Sequence, residues 1–204
     1  DFNNNAYHIL SGSLGKYFRN SLNDFKTTNK PWLLPNYKKV EKFKNYFHGT
    51  KKIKIGVSWT TTGINDKKRI ISLIDLVQLF PEDKFEIINL QYGNIKKDKK
   101  NLEQKEGREL IYFDNLDYTN DLESLAALIC NCDLVVSIGS FTASFASVLG
   151  KKVWILVPSI TTWCWHSNTN RTESLWFPNV KLFKQKNIYE WKYVFDLIKD
   201  EVKL

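Results

Sequence analysis

The chain has 204 residues, of which 43% are hydrophobic and 14% aromatic, so it carries enough apolar side chain for one well-formed core. No apolar run approaches the roughly 20 residues that cross a bilayer, and no charged and then apolar leader resembles a signal peptide. The three cysteines cannot all pair, which suits a reducing compartment. We therefore predict a globular, cytoplasmic protein. Its first residue is Asp1 rather than Met, and we expect it to be a piece of a longer protein.

The net charge of +8 raises the question of nucleic-acid binding. Only four of the 30 basic residues are arginines, whereas base and phosphate recognition favours arginine. The lysines lie in short groups scattered between the predicted elements, without interleaved aromatic residues. This pattern predicts a solvated surface and no specific nucleic-acid partner, and it leaves open a weak peripheral attraction to anionic membranes. Lysine-driven nucleic-acid binding would instead lose affinity steeply with added salt.

The first 50 residues differ from the rest in being rich in Asn, Lys and aromatic side chains, with glycines and prolines that break long elements. One helix is predicted there, from Tyr37 to Phe47, with a narrow apolar stripe on a lysine-rich surface. We interpret residues 1–50 as a connector that packs on a main domain spanning residues 51–204. Three aromatic side chains of the connector are predicted to be packing anchors: Tyr17, Phe18 and Trp32.

From residue 53 onward, predicted strands and helices alternate. The strands are 53–59, 85–90, 110–113, 133–138 and 153–157, and the helices are 70–80, 122–129, 142–149 and 187–203. Residues 94–107 are charged and are predicted to form a loop. A repeat of roughly 25 to 35 residues is typical of βαβ units, so we predict an α/β fold, a Rossmann-like doubly wound parallel sheet with helices on both faces. The loop after the first strand has one glycine where a dinucleotide fingerprint needs three, which argues against NAD or FAD.

The segment 121–158 has the order of a phosphate-binding unit. Its strand 133–138 is nearly all apolar, as in parallel sheets that are buried on both faces, and Gly139 opens the turn that leads into a small-residue helix ending at Gly150. A helix that begins at the carboxyl end of a parallel strand presents backbone N–H groups to a bound anion. Three hydroxyls can add donors to a diphosphate: Ser140, Thr142 and Ser144. Spacing alone fits equally well a plain βαβ unit whose small residues only allow close packing.

Tryptophans are concentrated near the carboxyl terminus, at positions 163, 165, 176 and 191, around a polar loop. Such a cluster usually closes the edge of a core. The alternative interpretation is a platform for a base or a sugar.

Several of these stretches, taken in order, resemble the carboxyl-terminal half of GT-B glycosyltransferases, specifically the heptosyltransferase-like (family 9-like) and tetratricopeptide-linked bacterial proteins. They are IKIGVSW at 53–59 with RIISL at 69–73, INLQYG at 88–93, the whole of 121–158, and SLWFPNVKLFKQ at 174–185 followed by Trp191. HILSGSLGKYFR at 8–19 resembles the stretch that crosses between the two halves of such enzymes. The resemblance implies a nucleotide-sugar-binding domain that lacks its amino-terminal acceptor domain or tetratricopeptide region.

The resemblance also implies a site across the carboxyl edge of the sheet, where the donor nucleotide would lie. The residues that would face the diphosphate are Ser140, Phe141, Thr142, Ala143 and Ser144, with Lys67 or Arg69 to neutralise its charge. Trp59, Thr60 and Thr61 would line the floor, and Gln91, Tyr92, Asp117 and Asp121 would lie near the base and ribose.

Neither a metal nor a cofactor is expected beside the nucleotide-diphosphate-sugar donor. In GT-B enzymes a helix dipole and cationic side chains stabilise the leaving diphosphate. The catalytic base would come from the missing half, so none is named, and His8 in the crossing segment is the one histidine to test.

Two departures from the family pattern concern the diphosphate loop. Family members commonly carry an Asp followed by Ser, Thr or Asn, and a His four residues further on, where this chain has Gly139, Ser140 and Ser144. Phe141 is also bulky where small polar residues are usual, so that its ring can plug the cradle. The leading hypothesis is the donor-binding domain of a metal-independent glycosyltransferase with an unknown acceptor. The alternative is a degenerate, non-catalytic domain that serves as an interaction or assembly module.

Overall fold

A computed structural model of the chain describes residues 8–25, 30–61, 68–165 and 170–203. Its five strands form one sheet in the order β2-β1-β3-β4-β5, and every neighbouring pair is parallel. The strands are β1 Ile53–Ser58, β2 Phe85–Asn89, β3 Leu134–Ile138, β4 Val153–Val157 and β5 Val180–Lys184. This topology confirms the predicted doubly wound parallel sheet.

Helices cover both faces of the sheet. The α-helices of the described residues are α1 Gly15–Phe18, α2 Tyr37–Tyr46, α3 Leu73–Val77, α4 Lys96–Glu106, α5 Leu122–Cys130, α6 Phe141–Val148 and α7 Lys192–Val202. Side chains of α2, α5 and α6 pack into one core cluster, and side chains of α3, α4 and α7 pack into a second cluster on the opposite face. None of these helices is long and apolar enough to cross a membrane.

The central strands β3 and β4 are buried along their whole length, as their apolar runs predicted. α6 ends as expected, because Gly150 follows it with a φ of 76°, in the left-handed region that glycine adopts without strain. The boundaries of α5 and α6 agree with the prediction to within one residue.

The prediction of a loop over 94–107 is wrong, because most of that segment forms α4. Ile95 and Leu102 are the two buried side chains that attach it to the core. Gly107 ends the helix at a φ of 63°. So few apolar residues among so many lysines produced no visible periodicity in the sequence.

Other element boundaries also differ from the prediction. The predicted strand 110–113 is reduced to a single parallel bridge between Ile111 and Ile88, beyond the β2 edge of the sheet. α3 is shorter than predicted, since Ser72 caps it and it begins at Leu73, and α7 begins at Lys192. Strand β5 was not predicted.

Part of the first 50 residues packs on the sheet domain. Phe43 of α2 and Phe47, which follows the helix, are buried in the core cluster that includes α5. The backbone N–H of Trp32 donates to the carbonyl of Val148 at 2.8 Å. The Trp32 ring also contacts Phe177, at 5.2 Å between centroids. The prediction that Tyr17 and Phe18 are packing anchors is wrong, because their exposures are 60% and 63%. A domain boundary at residue 50 stays a prediction.

Candidate functional site

The order of the strands reverses between β1 and β3, and we call the space at the carboxyl edge of this pair the crevice. These strands are neighbours, but the chain leaves β1 toward β2 on one side and leaves β3 toward β4 on the other. The two following loops therefore diverge, and ligands of open α/β sheets bind at such a reversal of strand order. Residues 59–61 and 68–71 border the crevice on one side, and residues 139–144 border it on the other. Lys67 lies outside the described residues.

Arg69 spans the crevice. Its half-buried guanidinium donates from Nη1 to the carbonyl oxygen of Gly139 at 3.1 Å. The loop after β1 turns back toward the strand, since the N–H of Ile71 donates to the carbonyl of Trp59 at 3.1 Å. Arg69 thus places a positive charge beside the turn that leads into α6.

The hydroxyls of the α6 turn already have partners within the protein. Ser140 caps the helix by accepting from the N–H of Ala143 at 3.5 Å, and Ser144 donates back to the carbonyl of Ser140 at 3.4 Å. Thr142 is buried and donates to the carbonyl of Leu90 at 3.4 Å. A diphosphate at this turn would therefore meet backbone N–H groups of the first turn of the helix before it met free hydroxyls.

Phe141 lies at the start of α6 with half of its side chain exposed. Its ring stacks on that of Phe145, with 5.2 Å between centroids and 22° between planes. This stacking holds the ring along its own helix.

Trp165 fills the space beside Gly139. A Cβ atom at position 139 would lie 2.9 Å from Nε1 of Trp165 and 3.0 Å from Cδ1, closer than side chains pack. The Trp165 ring is buried, at 5% exposure, within a 3-10 turn formed by Trp163–Trp165. The tryptophan-rich sequence predicted a cluster, but nothing in it indicated a contact with Gly139.

Gln91 joins the ends of β1 and β2. Its buried Oε1 accepts from the hydroxyl of Ser58 at 2.9 Å and from the N–H groups of Trp59 and Thr60, both at 3.0 Å. Its Nε2 donates to the carbonyl of Tyr92 at 3.0 Å. The Gln91 amide thus fixes the backbone at the end of β1, on this side of the crevice.

The Trp59 ring is buried in the core cluster formed with α3, α4 and α7, and its Nε1 donates to Asp98 at 2.9 Å. Thr60 and Thr61 follow it at the rim and are half-buried, as is Tyr92 after β2. Asp98 was not singled out in the sequence, because it lies in the lysine-rich segment that predicted a loop.

Asp117 and Asp121 hold the turn that leads into α5. Hydrogen bonds from the side chain and backbone of Asn120 keep the pKa of Asp117 below its usual range. Asp121 accepts from the N–H of Ser124 at 3.0 Å and from Nζ of Lys39 at 3.0 Å. Its bonds with Ser124, followed by that with Lys39, lower the pKa of Asp121 to about 2. Both carboxylates are therefore ionised at neutral pH.

His8 lies in the exposed segment before α1. Among the residues that the structure describes, no group of three His, Cys, Asp or Glu side chains is placed to hold a metal ion. Among the described residues, Arg69 brings a positive charge to the α6 turn through its bond to the carbonyl of Gly139.

Comparisons with known proteins identify the fold. The structure resembles ADP-heptose LPS heptosyltransferase II of E. coli with a TM-score of 0.56 and 11% identity, covering 84% of this chain and 54% of that one. It resembles a glycosyl transferase family 9 protein of Veillonella parvula with the same TM-score and 14% identity, covering 84% of this chain and 51% of that one. The chain therefore has a glycosyltransferase family 9-like fold and spans about half the length of these two proteins.

At the level of sequence, protein FlbA of Caulobacter vibrioides is 23% identical over 141 residues, which are 68% of this chain and 23% of that protein. No family model matches the chain.

Proposed function

We propose that the crevice between β1 and β3 binds the nucleoside diphosphate of a nucleotide-sugar, and that the chain is the donor-binding part of a metal-independent glycosyltransferase. The fold shared with two glycosyltransferases supports this proposal. The observation that carries it is Arg69, whose guanidinium lies across the crevice against the carbonyl of Gly139. In this proposal the acceptor and the catalytic base belong to a partner domain or tetratricopeptide region.

Transfer of the sugar releases the nucleoside diphosphate, so the site has to stabilise this leaving group. Negative charge develops on that group as the bond to the sugar breaks, and preorganised donors lower the barrier where the charge appears. The amino terminus of α6 supplies backbone N–H groups and the positive end of the helix dipole. Arg69 adds a planar fork that suits phosphate oxygens. Gln91 contributes by keeping the end of β1 in place.

Thermal unfolding with uridine, guanosine, adenosine and cytidine diphosphates tests the proposal. A ligand at about one hundred times its dissociation constant adds roughly 2.7 kcal/mol to the free energy of unfolding, so one nucleotide should raise the midpoint clearly. We expect Arg69→Ala to weaken that nucleotide's binding by about 1.5–3 kcal/mol, the value of a charge-assisted hydrogen bond.

The matched control removes one positive charge elsewhere, at exposed Lys199 near the end of α7. Lys199→Ala should leave nucleotide affinity unchanged. Equal affinity in wild type and Arg69→Ala would remove Arg69 from the site, and no response to any nucleotide would contradict donor binding by this chain.

A second candidate function is a non-catalytic interaction or assembly module, and the contact between Trp165 and Gly139 favours it. The ring occupies the side of the turn where a family-type Asp would extend, and the hydroxyls of the turn are bonded internally. In this case the wild-type chain binds no nucleoside diphosphate, and the double variant G139D/S144H gains binding.

G139A is the control for the double variant, because it adds the Cβ contact with Trp165 without a carboxylate. Binding gained equally by G139A would assign the effect to displacement of the ring. Nucleotide binding by the wild type would exclude the second function.

A further inference from the structure

A cavity of about 680 Å³ lies between the amino-terminal segment and the loop after β4. Four aromatic side chains line it: Phe18, Phe25, Trp163 and Trp176. Its size is within the range of small-molecule sites, which are mostly apolar with a few polar groups. None of these four rings belongs to the proposed nucleotide crevice, so the cavity needs its own explanation.

Three of these rings, Phe25, Trp163 and Trp176, form a corner. Phe25 meets Trp176 edge to face at 4.9 Å between centroids and 81° between planes, and Trp163 meets Trp176 at 5.6 Å and 71°. Trp163 nevertheless keeps 64% of its side chain exposed, and Phe18 keeps 63%. Large rings held in place by one another and left in contact with solvent present apolar area to a ligand.

Arg19 is the one charged side chain among the described residues that line the cavity. Its guanidinium lies over the Phe25 ring, 5.7 Å from the centroid, and donates to the carbonyl of Phe18 at 2.8 Å. The nearby acid Asp24 does not line the cavity, and its carboxylate accepts from the N–H and hydroxyl of Ser21 at 2.7 and 3.1 Å. An aromatic corner alone suits a cation, but with Arg19 in its wall this one favours an anion.

One 3-10 turn connects the cavity with the proposed nucleotide crevice. Trp163 and Trp165 belong to the same 3-10 turn, and Trp165 packs against Gly139 at the crevice. A ligand on Trp163 would therefore lie one turn of chain away from the α6 loop.

We propose that this aromatic pocket binds a sugar ring that carries an acidic substituent, a carboxylate or a phosphate. The negative faces of Trp163 and Trp176 attract the polarised C–H bonds on one face of a sugar ring. The Arg19 fork binds the acidic group, and the hydroxyl of Ser11 at the wall is available to a sugar hydroxyl. The pocket has its own lining residues, so the proposal does not depend on nucleotide binding in the crevice.

Saturation-transfer NMR on the full chain, in buffer without phosphate, tests this pocket with three probes: glucuronate, glucose 6-phosphate and neutral glucose. We expect at least one acidic sugar to bind, and to bind more tightly than glucose. Trp163→Ala should weaken it at least about fivefold through loss of a stacking face. Arg19→Gln should weaken it about tenfold through loss of a charge-assisted hydrogen bond.

Trp32→Ala is the matched control, because Trp32 is similarly exposed, at 59%, and lies outside this cavity. Affinity unchanged in Trp32→Ala and reduced in the pocket variants supports the proposal. No binding of either acidic sugar overturns it, and so does equal affinity in Trp163→Ala and wild type. Glucose binding as tightly as the acidic sugars overturns the role of Arg19. Comparing glucuronate with glucose 6-phosphate distinguishes a sugar acid from a sugar phosphate.

Discussion

Gly56 lies in the middle of β1, where the chain has no room for a side chain. A Cβ atom there would lie 2.4 Å from Cδ1 of Leu90 and 2.9 Å from Sγ of Cys132. Leu90 follows β2, and Cys132 precedes β3, so Gly56 lets the segments on both sides of β1 approach it. Gly139 has the same role beside Trp165, at the crevice itself. Gly56 and Gly139 therefore have no side chain where neighbouring side chains need the space.

We expect Gly56→Ala to lower the free energy of unfolding by about 1–3 kcal/mol, the usual cost of an added methyl group in a close-packed core. Urea unfolding measures the effect. Gly12→Ala is the control, since no atom lies within 4 Å of a Cβ atom at that position. Equal stability of Gly56→Ala and wild type would mean that Leu90 and Cys132 yield without cost.

At the scale of elements, α5 and α6 both begin at a polar cap. Asp121 caps α5 and is bound to Lys39 of α2, while Ser140 caps α6. α2 is therefore joined to the sheet domain both by buried Phe43 and by an ion pair at the start of α5. The family resemblance assigned Asp121 to the base and ribose and Ser140 to the diphosphate, so neither cap was predicted, and the sequence did not indicate Lys39 among many lysines.

We expect Asp121→Ala to lower the free energy of unfolding by about 1 kcal/mol through loss of the α5 cap, and Asp121→Ser to restore most of it, because serine also caps well. The pKa of Asp121 is lowered to about 2, so its contribution is fully present above its unfolded pKa of about 4 and is lost as the pH falls toward 2. Urea unfolding at pH 7 and at pH 2 measures both effects. A full loss in Asp121→Ser would contradict the capping role.

At the scale of the whole molecule, α2 and the described residues just before it pack on the sheet domain. α2 covers α5, and Phe43 is buried at 8% exposure in the same cluster as strands β3 and β4. The described residues before α2 instead leave aromatic side chains exposed around the aromatic pocket. α2 thus buries side chains in the core, whereas the described residues before it leave several aromatic side chains exposed.

We expect Phe43→Ala to lower the free energy of unfolding of the whole sheet domain by about 3 kcal/mol, as for large core residues, in one cooperative transition. Tryptophan fluorescence and far-UV circular dichroism should report the same midpoint. Tyr37→Ala is the control, because Tyr37 is 72% exposed on the same helix. A small effect of Phe43→Ala, or two separate transitions, would favour a connector independent of residues 51–204.

The sequence by itself determined the parts of this protein whose signal is local. Unbroken apolar runs predicted β3 and β4 and their burial on both faces, helical periodicity predicted α5, and a glycine predicted the end of α6. The alternation of these elements was enough to predict the parallel sheet and its helical layers, because parallel strands need crossovers.

Only the tertiary structure decided which distant side chains meet. Arg69 reaches the carbonyl of Gly139, Trp165 packs on the same glycine, and Arg19 shares a cavity with Trp163. Contacts of this kind join residues far apart in the chain, so no pattern within one segment encodes them. The helical state of α4 likewise depends on two side chains, Ile95 and Leu102, that pack in a core built by residues distant in the chain. The local pattern of apolar and polar residues therefore determined the helices and strands. Packing between those elements determined which residues meet at the crevice and at the aromatic pocket.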